Sequence, residues 1–364
     1  MIIGIDSRAA AEERGGRGRY VRELLGALAA RDDPHRYRLY ARSRWEAELD
    51  ERFSWELLGA PDPLWHLLAA RGANRDCDVF LSTNSYLTVW FLRIPAVPVI
   101  CDLIPFIPEA RARKRSQVIE RLTFGRGVAR AAALDCISEA TRRDLVAHAP
   151  AAAKKAFVVP LGVSPQIEQP TGEAEVRERY ALPGGFVLTA GVLEPRKNLV
   201  RLVRAHATLP DDLRRRFPLV IAGPAGWENR ELEAELARAA GDVRQVGFVP
   251  DRDLAALYGL CSVFAYVSLY EGFGLPLLEA MAAGAACLTS DVSSLPEVGG
   301  DAVAYADPRS PDSIGAGLAH LLEEPDERTR LGAAAKERAA GFSWARTAEK
   351  TVALLERVQA STRS

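Results

Sequence analysis

Two α/β domains of Rossmann type, each a parallel sheet with crossover helices, are predicted by three features of this 364-residue chain. Short apolar runs alternate with longer helical patterns through both halves, the signature of parallel strands joined by helices. The length exceeds what one hydrophobic core organises and leaves room for a cleft between two domains. A turn-rich stretch, Pro160-Leu161-Gly162-Val163-Ser164-Pro165 and on to Pro170, separates the two alternating series. The expected domains are residues 1–165 and 166–344, with a last segment, 345–364, packing back on the first.

The opening Met1-Ile2-Ile3-Gly4-Ile5-Asp6 lacks the basic flank, long apolar stretch and small-residue cleavage site of a signal peptide, and reads as a strand over 2–5. A helix over 20–30 follows. Further strands of the first series are expected at 37–41, 79–82, 97–101, 133–136 and 156–159. The second series reads as strands at 186–190, 219–222, 243–246, 263–266 and 286–289, each followed by a helical pattern. After Phe342-Ser343-Trp344, an amphipathic helix over 345–358 places Val352, Leu354, Leu355 and Val358 on one face, and 359–364 reads as a frayed polar tail.

Apolar residues make up 48% and charged residues 26%, the balance of a globular protein, which excludes a fibrous or mainly disordered chain. No run approaches the roughly 18 uninterrupted apolar residues of a membrane-spanning helix. Cys77, Cys101, Cys136, Cys261 and Cys287 lie far apart, with no C-x-x-C pair and no histidine at ligand spacing. Neither a zinc site nor a disulfide framework is expected, and reduced thiols fit a cytoplasmic protein. The net charge of -1 argues against nucleic acid as a partner.

The most informative stretch is Tyr270-Glu271-Gly272-Phe273-Gly274-Leu275-Pro276-Leu277-Leu278-Glu279-Ala280-Met281, which follows a strand and opens a helix. Gly272 and Gly274 let backbone approach a ligand, and Pro276 suits a first helical turn. The amides there, at the positive end of a helix dipole, make a site for an anion such as diphosphate. Glu271 in the loop and Glu279 about one turn into the helix can grip sugar hydroxyls on either side of it. The alternative is that Glu279 only complements the helix dipole and Glu271 is solvated.

A second cluster, Gly191-Val192-Leu193-Glu194-Pro195-Arg196-Lys197-Asn198-Leu199, also joins a strand to a helix. Arg196 and Lys197 together can neutralise the charge that grows on a departing diphosphate. The alternative is a solvated basic turn, although cations at a helix N-terminus oppose the dipole and call for another reason.

Glu271 to Glu279 resembles the E-x7-E motif of retaining GT-B glycosyltransferases, the group called glycosyltransferase family four. Gly247-Phe248-Val249-Pro250, Ser290-Asp291 and Leu295-Pro296-Glu297-Val298 are similar to further landmarks of that family, so the resemblance extends over nearly the whole chain. It implies a GT-B fold, two Rossmann-like domains facing each other across a cleft, and transfer with retention of anomeric configuration. By the same resemblance Glu271 contacts the donor sugar and Glu279 the ribose, with the base near Phe248 and Val249. The phosphates fall to Arg196, Lys197 and the Gly274-Leu275 amides, and the sugar lies against Glu271, Gly272 and Phe273. The catalytic set is Arg196, Lys197 and Glu271.

Arg14-Gly15-Gly16-Arg17-Gly18-Arg19-Tyr20 resembles the family's glycine loop, which places Gly16 on the donor and Tyr20, with Asp102, on the acceptor side. As a dinucleotide fingerprint this loop fails, because no Asp or Glu ends the second strand, where Arg42 sits. Two departures stand out. Val192 replaces an arginine that many relatives place after the glycine, and Cys101 replaces the histidine of His-Asp-Leu. Cys101 reads as a small buried residue or as a nucleophile, Asp102 as acceptor contact or helix cap, and Ser138 as a cleft residue or cap of the next helix. His35, His66, His148, His206 and His320 read as surface or packing residues.

Glu109 to Arg130 carries Arg111, Arg113, Lys114, Arg115, Arg121, Arg126 and Arg130 against Glu109 and Glu120, a local excess of +5. Such a segment fits anionic lipid at the inner face of a membrane, or a lipid-linked acceptor, and otherwise a solvated helix face. The expected donor, from the resemblance of Leu193 to Asn198 to polysaccharide mannosyltransferases, is GDP-mannose. No metal is expected, as no D-x-D pair lies in a suitable loop. Rival readings are a UDP- or dTDP-sugar transferase, a GT-B-shaped sugar-nucleotide epimerase, and an inactive nucleotide-sugar-binding protein. The acceptor, a glycan, lipid-linked or small molecule, is left open.

Overall fold

In the computed structural model of the chain the described residues are 1–11, 16–45, 49–83, 85–108, 114–227, 230–239 and 241–363. Arg14, Gly15, Glu109, Arg111 and Arg113 lie outside them. The chain divides into two compact units. One runs up to Gly162 and takes in Ser343–Ser364; the other is Val163–Phe342.

In the first unit β1 (Ile2–Asp6), β2 (Arg36–Ala41), β3 (Phe53–Leu57), β4 (Val79–Ser82), β5 (Ala96–Ile100), β6 (Leu134–Cys136) and β7 (Ala156–Val158) form one parallel sheet. Its order is β3-β2-β1-β4-β5-β6-β7. The connecting helices are α1 (Gly16–Ala29), α2 (Leu64–Asp76), α3 (Tyr86–Phe91), α4 (Lys114–Arg130) and α5 (Glu139–His148). Strands at the centre are buried on both faces, as covered parallel sheets require: Ile3, Ile5, Phe80, Leu81, Val97 and Ile100 are fully enclosed. β3 is absent from the expected strands. It pairs only with β2 at the sheet edge and is half-exposed, so it never acquires an unbroken apolar run.

The second unit repeats the plan. α6 (Glu173–Arg179) precedes β8 (Val187–Ala190), α7 (Leu199–Ala207), α8 (Asp211–Arg216), β9 (Leu219–Ala222), α9 (Arg230–Arg238), β10 (Val243–Gly247) and α10 (Asp251–Leu260). There follow β11 (Val263–Tyr266), α11 (Leu275–Ala282), β12 (Cys287–Ser290), α12 (Leu295–Gly299), β13 (Ala304–Ala306), α13 (Pro311–Glu323) and α14 (Pro325–Ala339). The sheet order is β10-β9-β8-β11-β12-β13. β13, three residues at the other edge, is again a strand that local pattern does not announce.

α15 (Trp344–Arg363) returns the chain to the first unit, where it packs on α1 and buries Val352, Leu354, Leu355 and Val358. It runs to Arg363, so the segment expected to fray after 358 is helical instead. Gly162 shows how closely the chain passes itself here. A Cβ on it would stand 2.1 Å from the Trp344 nitrogen and 2.4 Å from the Ser343 carbonyl carbon, so only glycine fits.

In each sheet the order reverses beside its first strand: β1 has β2 on one side and β4 on the other, and β8 has β9 and β11. Loops leaving the carboxyl ends of those neighbours diverge, and the crevice between them is where open α/β sheets bind ligands. Both candidate regions lie at these points.

Candidate active site

In the second unit the loops after β8 and β11 meet at the sheet's reversal. The first holds a 3-10 turn, Pro195–Lys197, and then Asn198, in the left-handed region with φ 61°. Asparagine tolerates that conformation. Its amide donates to the carbonyls of Val267 at 2.9 Å and Pro308 at 2.7 Å, and the Leu269 N–H donates to the Arg196 carbonyl at 2.8 Å. The Arg-Lys turn is thereby fastened to the end of β11.

The second loop is held from α12's side. Glu271 N–H donates to Ser293 Oγ at 3.0 Å, and the Ser294 hydroxyl donates to the carbonyls of Glu271 at 3.0 Å and Phe273 at 2.8 Å. Gly274, with φ 105°, turns the chain into α11 in a conformation that side-chained residues resist, and Pro276 sits in the first helical turn.

These two loops bring Arg196, Lys197 and Glu271 together. Glu271 Oε1 accepts from Lys197 Nζ at 2.7 Å and from the Tyr266 hydroxyl at 2.8 Å, while Oε2 meets Arg196 Nη1 at 2.7 Å. Lys197 Nζ also donates to the Tyr266 oxygen and stands 4.6 Å from that ring's centre. Arg196 Nε bonds Glu194 Oε2 at 2.9 Å. Burial pushes the Glu271 carboxyl up, but Arg196 and Lys197 outweigh it and hold the group at about 2. Burial and the Arg196 charge bring Lys197 down to about 8, with Glu271 opposing. The Tyr266 hydroxyl is held well above its ordinary value by burial and the Glu271 charge.

Glu271 and Glu279 are both buried, at 7% and 1% exposure, so the reading of Glu271 as a solvated side chain is set aside. Tyr258 donates to Glu279 Oε2 at 3.3 Å. Lys197 is equally no solvated turn residue. Gly272, Phe273 and Gly274 are buried beside Glu271 and Leu275 is half-buried. Beyond β10, Phe248 is exposed at 49% while Val249 is buried. Arg196 reaches Glu271 from the turn. Tyr266, Asn198, Ser293 and Ser294 were not anticipated; a hydroxyl in an otherwise apolar strand was the one signal available for Tyr266.

In the first unit the expected acceptor residues separate. Tyr20 is a correction: it is 3% exposed and its ring meets Trp344 edge-on at 5.9 Å, so it lies under α15 and presents no surface to a ligand. Gly16 opens α1 and is exposed. Asp102 Oδ1 accepts from the Ile104 N–H at 3.0 Å, capping the turn Ile104–Phe106, and also lines a cavity of about 150 Å³. Arg17, Ser82, Thr83, Cys101, Glu120 and Thr123 share that lining. Burial pushes the Cys101 thiol up to about 12, with Arg17 opposing and Asp102 adding, so it is a protonated packing residue and not a nucleophile. Ser138 caps α5 by accepting from Thr141 N–H at 2.9 Å.

Two parallel sheets of this kind, each reversing its order beside its first strand, define the GT-B fold of glycosyltransferases. The chain matches Glycosyltransferase Family 4 over residues 14–167 and Glycosyl transferases group 1 over 175–338. It is 31% identical over 347 residues to MMP alpha-(1->4)-mannosyltransferase of Mycolicibacterium hassiacum, covering 89% of this chain and 82% of that one. It is 41% identical over 180 residues to O-antigen chain mannosyltransferase B of Escherichia coli, covering 49% of this chain and 47% of that one. The chain belongs to the group 1, family four glycosyltransferases. It spans less than half the length of the first curated relatives it matches, 47% and 28%. Sucrose-phosphate synthase from Thermosynechococcus elongatus shares the fold, with a TM-score of 0.80 at 20% identity over 99% of this chain and 100% of that one.

Proposed function

We propose that the chain is a retaining glycosyltransferase that moves a hexose, mannose from GDP-mannose in the first instance, onto a hydroxyl of a glycan, lipid-linked or small-molecule acceptor. The observation that carries this is the buried Arg196–Glu271–Lys197 arrangement at the reversal of the second sheet. The mannosyltransferase names of relatives support the choice of sugar.

In this reading Phe248 and Val249 meet the base, Glu279 the ribose, and Glu271, Gly272 and Phe273 the sugar. Arg196, Lys197 and the amides at Gly274 and Leu275 hold the diphosphate. The acceptor oxygen bonds to the anomeric carbon as the bond from that carbon to the phosphate oxygen breaks. The acceptor proton passes to the leaving phosphate, so no protein base is required. Cations fixed beforehand stabilise the departing charge without reorganising. They do so without a metal in this proposal, and chelation with EDTA should leave the rate unchanged.

Among the described residues no helix is long and apolar enough to cross a membrane. We propose cytoplasmic work at the inner face of the membrane, with α4 as the contact. Val118, Ile119 and Leu122 are exposed on it at 56%, 50% and 71%, next to exposed Arg121 and Arg126. Such a basic, partly apolar face suits anionic lipid. Co-sedimentation with phosphatidylglycerol vesicles, and none with phosphatidylcholine, is the expected result; no retention by either would end this part of the proposal.

The donor assignment is tested by thermal unfolding with GDP and UDP on the wild type and Glu279→Ala. A nucleotide at 100 times its Kd stabilises by about 2.7 kcal/mol. GDP should protect the wild type more than the variant. A larger effect of UDP would replace the donor, and no effect of either would remove the site.

A further inference from the structure

Along β11 successive side chains point to opposite faces of the second sheet. Val263, Ala265 and Val267 pack with residues of α7 and α13, while Phe264 and Tyr266 lie on the other face, stacked with their centres 5.8 Å apart. Tyr258 of α10 meets Phe264 edge-on at 5.1 Å, and all three rings are buried. The two hydroxyls of this row reach the two glutamates of the site. Tyr266 donates to Glu271 Oε1 at 2.8 Å, and Tyr258 to Glu279 Oε2 at 3.3 Å.

The Tyr266 oxygen also accepts from Lys197 Nζ, which lies over the ring at 4.6 Å from its centre. An ammonium carries three hydrogens. Among the described residues one goes to Tyr266 and one to Glu271, which leaves the third for a ligand. A lysine stem is flexible, and a single tether would let the ammonium swing about it. Two tethers fix the direction of the third N–H. The charge depends on the same contacts. Burial and Arg196 favour the neutral amine, and Glu271 and Glu194 favour the ammonium. The hydroxyl lone pair and the ring face of Tyr266 both attract a cation and add to the second side.

We infer that Tyr266 is a positioning residue for transfer: its hydroxyl, shared between Lys197 and Glu271, keeps the lysine charged and its third N–H aimed at the diphosphate of the donor. The inference rests on the transferase reading above and adds the residue that governs its lysine. Tyr266 needs no contact with substrate for this. As the diphosphate draws on Lys197, the tyrosine hydrogen stays on Glu271, so the carboxylate keeps one fixed partner.

The test compares the full wild-type chain with Tyr266→Phe and with Tyr258→Phe, which takes a buried hydroxyl from the same row of rings. Tyr266→Met, also without an acceptor oxygen, is carried alongside in case the phenylalanine variant does not fold. Lys197 is titrated in the free proteins by NMR of carbon-13 lysine, its signal identified by its absence from Lys197→Arg. Loss of the Tyr266 hydroxyl should lower the midpoint by about one pH unit, the scale of one hydrogen bond to a charged group, and Tyr258→Phe should leave it in place. With GDP-mannose as donor and GDP release as the readout, the kcat/KM deficit of Tyr266→Phe should widen about tenfold between pH 6 and pH 9, the same shift read as a rate ratio. In a Lys197→Arg background, where that charge no longer titrates, the widening should vanish. An unmoved Lys197 midpoint in the folded variant overturns the inference whatever the activity. So does an equal fall in Tyr258→Phe, or a deficit that is the same at every pH in a chain that turns the donor over. If the wild type neither releases GDP nor is stabilised by it or by UDP, the transferase reading falls and takes this inference with it, even where the midpoint moves.

Discussion

Replacing Glu271 by glutamine tests the site more sharply than removing a cation, because shape is kept while one charge is lost. The carboxylate is bonded by Lys197 at 2.7 Å, Tyr266 at 2.8 Å and Arg196 at 2.7 Å. A carboxyl held at about 2 against its ordinary value of about 4.5 corresponds to about 3 kcal/mol of interaction favouring its ionised form. That stabilisation is present above the unfolded value and is lost as pH falls from about 4.5 toward 2, so Glu271→Gln should be less stable than the wild type at pH 7 and lose less on acidification. The same substitution removes a negative charge next to the proposed diphosphate position and leaves Arg196 and Lys197 to the ligand. GDP affinity in the variant should therefore equal or exceed that of the wild type, by calorimetry, whereas kcat for GDP release from GDP-mannose should fall by about 10²–10³, the scale of one lost preorganised polar contact. This split is the diagnostic result. GDP binding that disappears with the carboxylate, or a kcat within threefold of wild type, would refute the placement of Glu271 at the sugar and of the two cations at the phosphates.

Other consequences can be read in the same way. Lys197, at about 8 in the free protein, must be protonated to hold a phosphate, so kcat/KM for the donor should fall as pH rises through about 8, and Lys197→Arg should move that limb upward; a flat profile to pH 9.5 would exclude it. Burial pushes the Asp135 carboxyl up to about 8, and among the described residues both its oxygens lack a hydrogen-bond partner. The folded state then keeps a proton that the unfolded chain has lost, stability falls as pH rises from about 4 to about 8, and the Tm of Asp135→Asn relative to the wild type should rise with pH over that window. Gly162→Ala should lose about 3 kcal/mol, because its Cβ meets backbone at 2.1 Å and not a side chain that can swing away; an unchanged Tm would mean that the two chain segments pass less closely.

What was legible in the sequence follows from burial. Strands covered on both faces, such as β4 at Val79–Ser82 and β11 at Val263–Tyr266, read as unbroken apolar runs with clean ends. β3 escapes because polar Ser54 and Glu56 interrupt its apolar residues, and β13 because it is only three residues long, whereas the edge strands β7 and β10 were both expected. The E-x7-E spacing and the Arg196-Lys197 turn are local and therefore visible. Their contact is not, since it depends on β8 lying between β9 and β11, a fact of sheet order that no window of residues contains. Tyr20 was misplaced for the same reason: the loop before it resembles a ligand-binding turn, but the helix that covers its ring comes from Trp344, at the far end of the chain.

The sheet order also resolves the objection that cations are out of place where Arg196 and Lys197 stand, just ahead of α7, whose dipole opposes positive charge. Because β11 is adjacent to β8, Glu271 arrives opposite the turn, and with Glu194 it balances the pair in the absence of ligand. Two carboxylates against two cations leave this cluster near neutral, so it folds without a buried excess of charge. In the proposed reading a diphosphate competes with Glu271 for the same donors, and the carboxylate, displaced from part of its bonding, is left with lone pairs for sugar hydroxyls. On that proposal the one residue links occupancy of the phosphate position to readiness of the sugar position, which is why the glutamine variant is expected to separate binding from transfer.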